Sequence, residues 1–391
     1  MFNALKSRRS ELCPYCFEYF QLKDTPFRCS RCDLEPDAVL GKRWGDHRPM
    51  GRVMAPGGRF LTGLKCGDCG TESRSRICPE CHSDLPATLS NCKNIIFAII
   101  GAREAGKSHF IAVIIEQIKR RLGPSLHMLL EAMNDETMAR YTKDFYEPLF
   151  RDHTKIHATR TAASDKKVQR PLLYSLTFTG KSFLGRDTIK GAVVLAFFDT
   201  AGEDLDQEDV MSTFNRYIYR SHGIVLLVDP LQFPQVQDRL RGKAPLPRMN
   251  TEAAEILTRT TRLVQKGLNL APLDQIPIPL AVTFSKFDAV RPLLDEQSSL
   301  HGCARHEGGF DVQDFRAISS ELEALLGAWG GQDLLNQVQK RYATHGFFGI
   351  SALGCDPDAS GGKVLRVSPK RVEDPFLWLL AENGLIAKVR T

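Results

Sequence analysis

GAREAGKS, Gly101–Ser108, is the stretch whose reading decides the fold. It fits the pattern G-x-x-x-x-G-K-[ST], a loop whose backbone N–H groups and following helix N-terminus face phosphate oxygens, with the Lys on the β/γ-phosphates and the Ser on Mg²⁺. The flanks are what that chemistry needs. IIFAII (Ile95–Ile100) is a continuous apolar run and reads as a buried strand, and HFIAVIIEQIKRRL follows with Ile111, Ile114, Ile115, Ile118 and Leu122 at helical spacing. Strand, loop and helix would set Gly101, Ala102, Arg103, Glu104, Ala105, Gly106, Lys107, Ser108 and His109 around a bound phosphate chain.

The rest of the composition is permissive. The 391 residues are 42% hydrophobic and 25% charged, ordinary for a soluble globular chain and long enough for two or three domains. A net charge of +6 is too mild to imply nucleic acid. No apolar run approaches the roughly 18 residues of a membrane span. MFNALKSRRSELCPYC, at the N-terminus, has no apolar signal core, so a cytoplasmic protein is expected.

Eight of the eleven cysteines form four C-x-x-C pairs before residue 82, leaving Cys92, Cys303 and Cys355 over. In a reducing compartment such pairs argue for metal rather than disulfides. Taken in order, Cys13 and Cys16 with Cys29 and Cys32 make one Cys₄ set, and Cys66 and Cys69 with Cys78 and Cys81 the other, although spacing alone does not prove the pairing. Two structural Zn²⁺ ions are expected, because segments this small need metal to fold. His47 and His82 are alternative ligands, with surface roles preferred. The boundaries drawn are a first zinc ribbon over 1–40, a Gly/Pro/Arg-rich connector over 41–62, a second ribbon over 63–92 and an α/β domain over 93–391. Trp44 within the connector could stack on a base, but packing onto a ribbon is the favoured reading, so nucleic acid is disfavoured as a partner.

Further on, EAMNDETMARYTKDFYEPLF reads as a helix ending near Pro148, and the polar stretch after it as a long exposed loop. PLLYSLTFTG and GAVVLAFFDTAG form a hairpin across KSFLGRD. Asp199, at the tip of the second strand, is placed to hold Mg²⁺. GIVLLVDP and IPIPLAVTFSKFDAV supply parallel strands, GFFGISALG the last one, and VEDPFLWLLAENG a closing helix with Asp374 as cap, Pro375 at its start and Gly384 at its end.

Three of these strand ends carry a resemblance. Asp199-Thr-Ala-Gly202 is similar to the D-x-x-G motif of the TRAFAC-class P-loop GTPases, Ser285-Lys286-Phe287-Asp288 resembles their guanine-reading [NT]-K-x-D, and Ser351-Ala352 looks like their S-A motif. The resemblance spans residues 95–354 and implies a mainly parallel α/β domain that binds and hydrolyses GTP with Mg²⁺. It implies that Asp288 accepts from the guanine edge, that Lys286 packs along the base, and that the S-A backbone meets guanine O6. Lys107, Ser108, Asp199, Gly202 and a switch Thr, taken as Thr159 over Thr154 and Thr161, would serve the phosphates and Mg²⁺. With its paired ribbons and DPFLWLL tail, the chain also resembles a narrower group, the double-GTPase proteins of bacterial anti-phage systems. That likeness implies protein partners, among them a second GTPase encoded alongside.

Two residues depart from the family pattern. Glu203 stands where Ras-like members have the water-orienting Gln, and Arg103 where many have Gly. Both bear on turnover, which is expected to be slow without a partner. The alternatives are a non-hydrolysing nucleotide-binding scaffold and a GTP-gated nucleic-acid-binding module.

Overall fold

The computed structural model describes residues 10–32, 34–56, 62–86, 93–156, 170–181, 187–197, 208–241, 253–302, 306–354, 363–364 and 366–390. Its centre is a seven-stranded sheet: β1 (Lys93–Gly101), β2 (Met128–Ala132), β3 (Leu172–Lys181), β4 (Asp187–Phe197), β5 (Gly223–Val228), β6 (Leu280–Phe284) and β7 (His345–Gly349). The strands lie in the order β2-β3-β4-β1-β5-β6-β7. β4, β1, β5, β6 and β7 are parallel neighbours, while β3 runs antiparallel to both β2 and β4.

Side-chain alternation along β1 builds a core on each face of the sheet. Ile96, Ala98 and Ile100 enter one core and Ile95, Phe97 and Ile99 the other. β5 and β6 are buried at every position, as strands covered on both faces must be. The second core receives α2 (Lys107–Gln117) through Ile111, Ile114 and Ile115, and α7 (Asp374–Glu382) through Phe376, Leu377 and Trp378. On the first face lie α3 (Glu208–Tyr219), α4 (Ala253–Leu268), α5 (Val312–Ala328) and α6 (Gln332–Arg341).

The hairpin, the parallel strands and the packed tail helix agree with the sequence reading. Three local features differ. Met128–Ala132, whose last two residues open the stretch read as a helix, is an edge strand buried at Met128 and Leu130 alone. The helix expected to end near Pro148 continues through that proline to Arg151 in a widened π form. Asp374 does not cap α7, which has no side-chain cap; its carboxylate is held by Arg371 Nε at 2.8 Å and His306 Nε2 at 3.0 Å. The competing partners are a cation and a ring, both buried beside it, and they outbid a backbone N–H. Gly384 does end the helix, at φ 70°.

The cysteine segments precede the sheet. α1 (Ala38–Trp44) starts at Asp37, whose side chain accepts from the Val39 and Leu40 N–H groups. Residues expected to form a solvated connector are folded: Pro49–Met50 pairs with Glu35–Pro36, and Val53–Met54 with Phe27–Arg28. Trp44 is buried in the first core, with the Arg43 and Arg170 guanidiniums over its ring, and is no open stacking platform.

Candidate functional site

The phosphate loop leaves the C-terminal end of β1, and the ends of β5, β6 and β7 converge beside it. That is the edge where parallel α/β sheets bind ligands. Gly106, at φ 90°, opens α2, and Glu104 sits in the left-handed region at φ 62°. Such reversals of hand are how a loop turns successive N–H groups toward one point. Lys107 Nζ donates to the Gly101 and Ala102 carbonyls, both at 2.9 Å, so its ammonium lies back over the loop. Arg103 and Glu104 are exposed, and Ala105 is buried beneath them.

A methyl on Gly106 would lie 4.0 Å from Ser285 Cβ, which makes the phosphate loop and the Ser285–Asp288 segment direct neighbours. Ser285 is tied to β5 through its N–H to the Val228 carbonyl at 2.9 Å. Lys286 is a non-glycine residue at φ 50°, a conformation costing about 1–2 kcal/mol. Its Nζ meets Asp229 Oδ2 at 2.6 Å, an ion pair with the carboxylate side nearly buried. Phe287 N–H donates to the Ile350 carbonyl at 3.0 Å, drawing this segment onto the end of β7. There the Ser351 hydroxyl donates to Asp288 Oδ1 and accepts from the Gly354 N–H at 2.8 Å. Ser351 N–H is given to the Lys370 carbonyl at 3.0 Å, and Ala352 is half-buried next to it.

Asp229 was missed in the sequence. Its local signal is weak: a carboxylate at the tip of an all-apolar strand, one strand from the phosphate loop, which gains meaning only from Lys286. His109 was placed on the phosphates by position in the motif. Here its Nε2 accepts the Ile156 N–H at 3.1 Å. Burial, then the charges of Lys286 and Lys155, push its pKa down to about 4, so the ring is neutral near pH 7 with its proton on Nδ1. Thr154, one of three candidate switch residues, is committed to the Pro148 carbonyl through both N–H and Oγ1. Thr159, Thr161, Asp199, Gly202 and Glu203 lie outside the described residues.

The eight cysteines close into two tetrads in interleaved order: Cys13, Cys16, Cys78 and Cys81 in one, Cys29, Cys32, Cys66 and Cys69 in the other. This corrects the sequential pairing. The physical reason is the crossing of the segments: Phe27–Arg28 bridges to Arg76, and Ile77 N–H donates to the Pro26 carbonyl at 2.9 Å, so the outer pairs meet each other and the inner pairs meet each other. Sulfur atoms lie 3.8 Å apart between Cys13 and Cys81 and between Cys16 and Cys78, and 3.3–3.5 Å apart in the second tetrad. A tetrahedron with Zn–S of about 2.3 Å has edges of about 3.8 Å.

Three of the four pairs share one turn. Phe17, Gly70 and His82 each follow a second cysteine at positive φ and donate to the carbonyl of the first cysteine at 2.9–3.0 Å. The donor set is sulfur throughout: His82 Nδ1 pairs with Asp37 at 2.9 Å instead of joining a tetrad. Four thiolates with no open position fit a structural Zn²⁺ in each tetrad.

Fold and site together define an α/β architecture with a phosphate-binding-type loop at the edge of a mainly parallel sheet, carrying an N-terminal pair of Cys₄ clusters. No catalogued family profile matches the chain. It is similar to SaeC, a Mycolicibacterium smegmatis protein given a provisional role in ESX-1 scaffolding and assembly, at 27% identity over 334 residues, 79% of this chain and 80% of the relative. Similar solved structures are GTP-binding proteins. They include the Arl6 (BBS3) small GTPase of Trypanosoma brucei with a bound GTP analogue, at 12% identity and TM-score 0.28 over 75% of this chain and all of that one. The GTP-bound GTPase-like domain of Ski7 from Saccharomyces cerevisiae matches at 16% identity and TM-score 0.31, over 77% of this chain and 52% of the other. At those scores the likenesses add nothing to the geometry above. Among the described residues no helix is long and apolar enough to cross a membrane.

Proposed function

We propose that the chain is a GTP-binding and GTP-hydrolysing switch that works as a scaffold for protein partners. One observation carries the reading: at a single sheet edge, Asp229 holds Lys286 and Ser351 holds Asp288, directly beside the phosphate loop. A carboxylate fixed by a hydroxyl on one oxygen keeps its other lone pairs for the two N–H groups of a guanine edge, which adenine lacks. With Ser351 N–H spent on Lys370, the Ala352 N–H is the donor left in the S-A motif for guanine O6.

Lys107 would swing from its own loop carbonyls to the β/γ-phosphates, exchanging two neutral acceptors for charged ones. Ser108, Asp199 and Thr159 would hold Mg²⁺, which neutralises charge between those phosphates. Gly202 N–H and Glu203 face the γ-phosphate in this reading. Glu203 accepts but cannot donate as Gln does, so intrinsic turnover is slow and a cation, Arg103 or a partner's arginine, supplies the compensating charge.

The relative's description speaks of scaffolding and assembly, which favours protein partners over a defence role. A second GTPase as partner rests on the narrower resemblance alone. Titration of the purified chain with GTP, GDP and ATP tests the reading: guanine nucleotides should bind at least about tenfold tighter, roughly 1.4 kcal/mol. Equal affinity for ATP and GTP contradicts it.

A non-hydrolysing scaffold is the second reading, favoured by Glu203 and by the relative's role. Single-turnover assays with protein in excess separate the two. No phosphate release over hours, with partner proteins present, selects the scaffold.

A further inference from the structure

The cysteine module does not merely precede the nucleotide domain. Its first tetrad shares the core of one sheet face: Cys13, Cys16, Cys78 and Cys81 pack in the same cluster as Ile96, Ala98, Tyr217 and Ile218. The polar contacts converge on α3 and on Arg220 just after it; the helix begins immediately after residues 198–207, where the D-T-A-G-E sequence lies. Arg216 Nε donates to the Cys16 carbonyl at 3.1 Å, and Arg220 donates to the Phe17 carbonyl. Glu18 pairs with both arginines, at 3.1 and 2.7 Å.

Between them, Phe17 packs on Tyr217 with ring centroids 5.3 Å apart. Tyr217 then reaches the strand that feeds the phosphate loop. Among the described residues β4 registers with β1 from Lys93 to Ile96. Just beyond that point, the Tyr217 hydroxyl donates to the Phe97 carbonyl at 2.7 Å and accepts the Ile99 N–H at 3.2 Å. A metal ligand, a ring, a second ring and β1 thus stand in unbroken contact.

The module holds the other flank as well. Arg170, the first described residue after 157–169, meets Asp46 at 3.3 Å and lies over Trp44 at 5.5 Å. Described residues that follow 157–169 and 198–207, the stretches holding the candidate γ-phosphate residues in sequence, thus both contact the cysteine module.

We infer that the Cys13/Cys16/Cys78/Cys81 site and the nucleotide site are energetically coupled through Phe17, Tyr217, Arg216 and Arg220, so that the nucleotide state changes how tightly this tetrad holds its ion. The inference rests on the GTP reading above. Linkage makes the effect reciprocal: an ion held more tightly in one nucleotide state favours that state by the same factor. Among the described residues the second tetrad has none of these contacts with α3. It packs in its own small cluster with Phe27 and Met54, and Cys69 is exposed.

Zinc release from the full chain into an excess of a pyridylazo-resorcinol dye tests this, with GDP, a non-hydrolysable GTP analogue or no nucleotide present. Release should be biphasic: a fast phase from the exposed second tetrad, insensitive to nucleotide, and a slow phase from the buried one. The slow rate should differ at least about fivefold between GDP and the analogue. Cys69→Ser should abolish only the fast phase, which assigns the two. In Tyr217→Phe, which keeps the ring but removes the hydroxyl bridge, the nucleotide effect should shrink to less than about twofold. Glu18→Gln should weaken it in the same direction. A slow phase indifferent to nucleotide in protein that binds GTP overturns the coupling and leaves the GTP reading standing. A nucleotide effect confined to the fast phase, or one unchanged in both variants, also overturns it. Protein that binds no guanine nucleotide overturns both.

Discussion

The two cysteine tetrads are built from the same ligands and the same turn, yet they sit in the molecule differently. Cys13, Cys16, Cys78 and Cys81 are all buried, in a core continuous with the central sheet. Cys29, Cys32, Cys66 and Cys69 range from buried to exposed, and Cys29 and Cys66 share a small cluster with Phe27 and Met54 alone as its other buried members. The difference shows that ligand chemistry decides whether an ion binds, while the surroundings decide what its loss would undo. A structural zinc site contributes about 10–16 kcal/mol of folding free energy in isolated peptides. At the first tetrad that free energy is tied to the nucleotide fold. At the second it holds together a peripheral hairpin.

The largest test of this contrast is a pair of ligand substitutions. Cys16→Ser should leave little soluble protein, or lower the melting temperature by more than about 10 °C, several kcal/mol for a chain of this size. Cys69→Ser should lose one of two zinc equivalents by elemental analysis, keep guanine-nucleotide binding and shift the midpoint by only about 3 °C. Equal losses for the two would erase the distinction.

Arg28 sharpens it. This nearly buried guanidinium bonds Asp37 at 2.9 Å, the Gly51 carbonyl at 3.2 Å and the His82 carbonyl at 3.0 Å, stitching the two tetrads' segments together. Arg28→Ala leaves the Asp37 carboxylate buried without its guanidinium and should cost about 3–5 kcal/mol in urea unfolding. Both zinc equivalents should remain, because no ligand is touched. Loss of the second zinc alone would mean that the peripheral tetrad depends on the first.

A smaller effect, remote from either tetrad, belongs to His109. Its folded pKa of about 4 lies below the usual histidine value, so between about pH 6.5 and 4 the unfolded chain binds more protons than the folded one. Stability from the neutral ring is therefore complete above about pH 6.5 and is lost as pH falls toward 4. Melting curves should show His109→Gln with a shallower decline across that window than the parent chain. The slope that persists in the variant reports the remaining groups, thiolates included. Identical slopes would contradict the buried, neutral ring.

Much of this was legible in the sequence, and unevenly so. The phosphate loop, Ser285–Asp288 and Ser351–Ala352 could be read because each is a short local pattern at the end of an apolar run. The four C-x-x-C pairs were legible for the same reason. Their pairing was not: spacing fixes the turn, while the choice between sequential and interleaved tetrads depends on Phe27 crossing to Arg76, far along the chain. Asp229 was hidden because a strand-end carboxylate acquires meaning only when Lys286 is known to reach it. Met128–Ala132 was hidden because an edge strand with exposed Leu129 and Glu131 carries too little apolar pattern. The docking of Phe17 and Glu18 on α3 joins residues about two hundred apart, and no local signal announces it.

In the proposed function Asp288, held by Ser351, reads a guanine edge. The most direct measurement is calorimetric titration of the parent chain and of Asp288→Asn with GTP and xanthosine triphosphate. The carboxylate accepts from guanine's ring N–H and amino group. An Asn amide instead offers a donor, which suits the extra ring carbonyl of xanthine. The account predicts that the substitution weakens GTP by at least about tenfold, strengthens the xanthine nucleotide, and leaves both zinc ions in place. Unchanged GTP affinity in a folded, zinc-loaded Asp288→Asn protein would contradict it.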